Sequence, residues 1–92
     1  MLSFLPKTPN SIMQELSTRF RIRRKTLGFS QKELSTRSGV SLGSLKRFEQ
    51  SGEISLESLL KLAVILECLE DFEEVCRERV EVPKSLDDVF EY

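Results

Sequence analysis

Two short amphipathic segments lie back to back between Ser30 and Gln50, SQKELSTRSGVSLGSLKRFEQ, and the turn between them is three residues, Gly39-Val40-Ser41. Ser30 and Glu33 form an S-x-x-E capping box, in which hydroxyl and carboxylate satisfy each other's orphan backbone N–H groups and start a helix. Gly39 ends that helix because it takes the left-handed conformation without steric cost. Ser41 caps the next one. Leu45 and Phe48 then face inward with Val40 and Leu34. A helix pair of this spacing is shaped to place its second helix in a DNA groove.

The flanking sequence predicts more helices. Thr8-Pro9 offers a cap and a first-turn proline, with Asn10 as a competing cap, and Ile12, Met13, Leu16, Phe20 and Leu27 recur at helical spacing. Helix 1 is expected from Pro9 to Leu27, stopped by Gly28. Ser55 caps a fourth helix, whose Leu56, Leu59, Leu60, Leu62, Ala63, Ile65 and Leu66 make an apolar surface that more than one neighbour must cover. A fifth helix is expected from Leu69 to about Arg79, with Phe72, Val75, Cys76 and Val80 as its stripe. Val80-Glu81-Val82 alternates like a short strand, and Ser85 with Asp88 is able to cap a last turn carrying Leu86, Val89 and Phe90. The expected organisation is an extension over residues 1–8, a helical domain over 9–80 and an acidic tail over 81–92.

At 92 residues the chain makes one domain, and a domain of this size buries only about 60–65% of its unfolded surface, so a dimer interface would help it. Few Gly and Pro and a third of the residues charged suit a helical protein without a membrane span. The start lacks the basic region and long apolar run of a secretory leader, so the cytoplasm is the expected location. With no His and two Cys, a zinc site with nitrogen ligands is excluded and a four-thiolate site cannot be built in one chain. Cys68 and Cys76 sit in an apolar helical pattern and are expected to pack in the core, with a redox or disulfide role as the alternative. No cofactor is expected. Without a histidine, a glycine-rich phosphate loop or paired carboxylates in an evident pocket, an enzyme is the least favoured class.

The net charge of −1 hides a division. Residues 1–66 hold eleven Lys or Arg against five Asp or Glu, a balance of +6; residues 67–92 hold three against ten, a balance of −7. In the basic head, Arg19, Arg21, Arg23, Arg24 and Lys25 crowd the second half of helix 1, either as a solvated face or as phosphate-neutralising groups. Arg23 is expected to be one of the latter. On helix 3 the exposed positions are Leu42, Gly43, Ser44, Lys46 and Arg47. Arg47 is able to pair with O6 and N7 of guanine, discriminating by about 1–3 kcal/mol, or to contact a phosphate. Leu42 suits a thymine methyl or is incidentally exposed. Gly43 allows close backbone approach or is neutral.

These residues resemble the phage repressor and Cro-type (XRE-like) helix-turn-helix family, through R-x-x-x-G-F-S-Q-K-E-L from Arg24 and G-V-S-L-G-S-L-K-R-F-E from Gly39, over about Arg19 to Leu66. The resemblance implies an all-α, five-helix lambda-repressor-like DNA-binding domain, here with a short C-terminal strand or helical extension. It implies that Gln31 touches a phosphate and braces the recognition helix, and that Leu42, Gly43 and Arg47 take base-reading positions. Ser30, Ser41, Ser44 and Lys46 fall on the same DNA-facing surface. It also implies that Arg24 pairs with Glu49 while touching a phosphate. Leu42 and Gly43 depart from the family, where glutamine or another hydrogen-bonding residue is common, so the operator sequence does not carry over.

Phe48 to Phe90 is similar to HipB-type regulators that partner HipA-like kinase toxins. That likeness implies a dimeric, autoregulating antitoxin. The expected function is a dimeric repressor on a palindromic double-stranded DNA operator, with a protein-interaction module that neutralises a toxin as the alternative. Phe72, Val75, Val80, Leu86, Val89 and Phe90 are the expected dimer or partner surface.

Overall fold

The computed structural model describes residues 6–78, and among them the chain is helical throughout, without a strand. Four α-helices follow one another, α1 (Pro9–Thr26), α2 (Gln31–Ser38), α3 (Leu42–Ser51) and α4 (Leu56–Ile65), and a 3₁₀ helix spans Leu69–Glu74. α1 packs on α3, α2 packs on both α3 and α4, and the 3₁₀ helix lies against α4.

Each α-helix starts where a hydroxyl is available to accept an orphan N–H. Thr8 caps α1, and the N3 residue Ser11 returns the bond to the Thr8 N–H at 3.0 Å. Ser30 and Glu33 make the reciprocal box of α2, and Ser41 and Ser55 cap α3 and α4. Between α2 and α3, Gly39 is left-handed with φ +79°. Two serines then tie the turn, the Ser35 hydroxyl donating to the Val40 carbonyl at 2.6 Å and the Val40 N–H donating to Ser38 Oγ at 3.1 Å.

The core is the predicted cluster of Leu34, Val40, Leu45 and Phe48, joined by Phe20 of α1 and by Leu59, Leu62, Ala63 and Leu66 of α4. Phe20 meets Phe48 edge to face at 5.5 Å and Phe72 at 6.2 Å, geometries that the ring quadrupoles favour. Gly52, left-handed at φ +81°, ends α3 against Met13, whose backbone would lie 3.0 Å from an added Cβ. Conformation and space both demand glycine there.

The fifth helix is shorter than its pattern suggests. It is a single 3₁₀ stretch that stops at Glu74, after which Val75 is extended and Cys76 left-handed at φ +56°. Glu70, Asp71, Glu73 and Glu74 crowd its six residues, so like charges lie three and four apart and burden the negative C-terminal end of any longer helix. Only Phe72 anchors it, packed against the core. Cys68 is half-buried on the core, where burial pushes its thiol up and the Asp71 carboxylate adds to the effect. Cys76, expected in the core, is exposed instead, because the stripe that would have buried it does not form. The strand or turn expected between residues 80 and 90 lies outside the described residues.

Candidate nucleic-acid interface

The outer face of α3 is presented by burying Leu45 and Phe48, which leaves Gly43, Lys46 and Arg47 exposed and Leu42 and Ser44 half-buried. Among the described residues, neither Lys46 nor Arg47 is held by an ion pair. The first turn of α3 carries no acidic residue, so the positive end of its dipole faces outward uncompensated, as an anion requires. Ser41 and Ser44 are occupied with each other: Ser41 Oγ accepts from the Ser44 N–H at 3.1 Å and donates to Ser44 Oγ at 2.8 Å. Beside Arg47 a shallow cleft of about 380 Å³ separates α3 from the start of α4, lined by Ser44, Glu53, Ile54, Ser55 and Ser58.

The opposite end of α3 is gripped. Arg24 Nε donates to Glu49 Oε2 at 2.7 Å and Nη2 to Oε1 at 2.9 Å, while Nη1 donates to the Phe29 carbonyl at 2.9 Å. Gln31, the first residue of α2, donates from Nε2 to Glu49 Oε1 at 2.9 Å. One carboxylate therefore joins α1, α2 and α3. The pair is closed to water, with the Arg24 side chain 8% and the Glu49 side chain 4% exposed. Burial alone would raise the Glu49 carboxyl, but the bonds from Arg24 and Gln31 and the charges of Arg24 and Arg21 outweigh it and hold it below the usual carboxylate range. A second hold is Gln14, whose Nε2 donates to the Ser51 carbonyl at 2.8 Å.

The five basic residues of α1 are not equivalent. Arg21, Arg24 and Lys25 share one face by the i, i+3, i+4 rule, and Arg21 is close enough for its charge to act on Glu49. Arg23, two positions from Arg21, projects to the other side, where Nε donates to the Leu66 carbonyl at 2.9 Å and Nη2 to that of Glu67 at 3.4 Å. There it completes the C-terminus of α4. Arg19 is exposed near Glu15 and Thr18, with its charge acting on Glu15. Ser30 spends its hydroxyl on the α2 cap. Of the expected partner surface, Phe72 belongs to this chain's own core and Val75 is exposed, while Val80, Leu86, Val89 and Phe90 lie outside the described residues.

Sequence reasoning missed Gln14 and the capping role of Arg23. Both bind backbone carbonyls distant in sequence, and no pattern along α1 marks them, although Gln14 does lie on the helix face shared with Arg21. Among the described residues, no group of three or more Cys, Asp or Glu is placed to hold a metal ion, and no helix there is long and apolar enough to cross a membrane.

Two helices joined by a tight turn, with the second presented on a buttressed body, define a helix-turn-helix DNA-binding domain of the lambda-repressor-like class. The family model described as Helix-turn-helix matches residues 20–72, and the chain belongs to that XRE-type family of DNA-binding transcription regulators. No curated protein and no solved structure matches the chain.

Proposed function

We propose that the protein is a homodimeric repressor that reads a two-fold related operator by inserting the N-terminal half of α3 in the major groove. The observation that carries this reading is the asymmetry of α3: its C-terminal end is fixed by Glu49, Ser51 and Gly52 to two other helices, while Leu42, Gly43, Lys46 and Arg47 are left outward. Arg47 reads a base, and Leu42 and Gly43 allow close approach. Gln31, Arg21, Lys46 and the start of α3 with Ser41 and Ser44 meet phosphates. Arg24 is a positioning residue acting through Glu49. Two copies would place their recognition helices about 34 Å apart, one turn of duplex.

Fluorescence anisotropy on the DNA upstream of its own gene, at several salt concentrations, tests the assignment. Arg47→Ala is expected to weaken specific binding by about 1–3 kcal/mol and blur base preference. Arg21→Ala should weaken all DNA alike and lower the salt slope by about one. Arg23→Ala should leave that slope unchanged. Wild-type binding without sequence preference, or identical behaviour of the Arg47 and Arg21 variants, overturns the reading.

The acidic end supports a second reading, an antitoxin that also holds a HipA-like kinase toxin. Glu70, Asp71, Glu73 and Glu74 are exposed around the 3₁₀ helix, with Val75 beside them, a surface that repels phosphate and suits a basic protein partner. Co-purification with the product of the adjacent gene, lost when the acidic residues are neutralised, would support it; a partner indifferent to them would not.

A further inference from the structure

α4 buries one row, Leu59, Leu62, Ala63 and Leu66, and presents another beside it. Leu56, Leu60 and Val64 follow at i, i+4 and i+8. Leu56 is 67% and Val64 54% exposed, and half-buried Leu60 is not among the residues packed against the core. Single exposed apolar residues are ordinary, but a continuous row on one helix indicates a contact surface. Among the described residues, the other exposed large apolar residues, Ile12, Ile22, Leu69 and Val75, form no such row on one element.

We propose that this row of α4 is the face on which a second copy of the chain docks, with the two helices antiparallel about a two-fold axis at Leu60. The charges beside the row select that arrangement. Glu57 and Lys61 flank it on one side, 3.9 Å apart in the chain itself. In an antiparallel pair centred on Leu60, Leu56 faces Val64 of the second copy and Leu60 faces its equivalent. Glu57 then comes beside Lys61 of the second copy, and symmetry forms that ion pair twice. In a parallel pair the two-fold axis runs along the helices and sets the Glu57 and Lys61 flanks of the two copies on opposite sides of the seam, where they form no pair with each other. The face is thus complementary to itself in charge as well as in apolar pattern. The inference rests on the dimeric reading above, replaces the partner surface expected near Phe72, and is tested without DNA.

Sedimentation equilibrium of the full chain, up to ~100 µM because dimer population follows concentration, is the experiment. The wild type is expected to show a monomer–dimer equilibrium, and Val64→Asp to raise the dimer Kd at least tenfold with an unchanged helical circular dichroism spectrum. Glu57→Lys alone should weaken the dimer, and adding Lys61→Glu should restore it to within about threefold, as expected of a mutual pair. A wild-type monomer throughout the range, no effect of Val64→Asp, failure of the charge swap to restore association, or dissociation by Phe90→Asp instead of Val64→Asp overturns the proposal. Sequence-preferring DNA binding, measured separately, survives each of those results, so failure of this interface is distinguishable from failure of the operator reading.

Discussion

Replacing Arg24 by alanine removes the centre of the joint between α1, α2 and α3. The fork supplies two bonds to Glu49 and one to the Phe29 carbonyl, and with side chains only 8% and 4% exposed the pair lies far from the surface regime of about 0–1 kcal/mol. What the variant leaves behind matters more than what it deletes: a buried carboxylate whose remaining side-chain donor is Gln31. Stranding one member of a buried pair costs about 3–5 kcal/mol, a large share of the roughly 5–14 kcal/mol expected for a chain of this length. Urea unfolding followed by circular dichroism at pH 7 should show that loss, and a melt should fall by about 12 °C or more. Arg24→Met combined with Glu49→Met, which removes both charges, should recover at least half of the loss, because an apolar pair carries no desolvation penalty. A cost for Arg24→Ala within about 1 kcal/mol would show that the pair behaves as an exposed one. A double variant no more stable than Arg24→Ala would refute the stranded-charge argument and assign the cost to lost packing and the Phe29 bond.

Acid should weaken the same joint. Glu49 has its folded pKa depressed, so its contribution is fully present above the unfolded value of about 4.3 and disappears as pH falls through the lower folded value. Between pH 5 and pH 3 the urea midpoint of Glu49→Gln should therefore fall less steeply than that of the wild type, and equal slopes would contradict the assignment. At the end of α4, Glu67 occupies a left-handed position at φ +60°, where glycine is usual, and the Cys68 N–H closes on the Ala63 carbonyl at 3.0 Å. Glu67→Gly should stabilise the chain by about 0.5–1 kcal/mol, since Arg23 binds the backbone carbonyl and keeps its bond; a lower melting temperature in calorimetry would refute this.

Helix starts were legible in the sequence because capping is local: Thr8, Ser30 with Glu33, Ser41 and Ser55 each act within three residues of themselves. The meeting of Arg24 and Glu49 was legible only through the family resemblance, since nothing in a separation of 25 residues announces a bidentate pair. The extent of the fifth helix was misread because its apolar stripe was given more weight than the four carboxylates Glu70, Asp71, Glu73 and Glu74 that crowd the start of the segment. The roles within Arg19-Phe20-Arg21-Ile22-Arg23-Arg24-Lys25 depend on the roll of α1 about its axis. That roll is set by Phe20 and Leu16 meeting the core, a tertiary fact that a run of charges does not express.

The same roll explains how one helix serves two ends of the molecule. With Phe20 inward, the edge carrying Gln14, Arg21 and Arg24 runs beside α3, and the edge carrying Arg23 reaches the last carbonyls of α4. α1 thus holds the recognition helix by its C-terminal end and α4 by its own, and any rotation of α1 would have to break both sets of bonds. Neither set reaches the first turn of α3. The residues proposed to face bases there can change without breaking either set, and this is where the chain carries Leu42 and Gly43, its departures from the glutamine or other hydrogen-bonding residue expected from the family resemblance. Changes of operator preference are therefore expected to cost little stability when confined to Leu42, Gly43 and Arg47, and much when they touch Glu49.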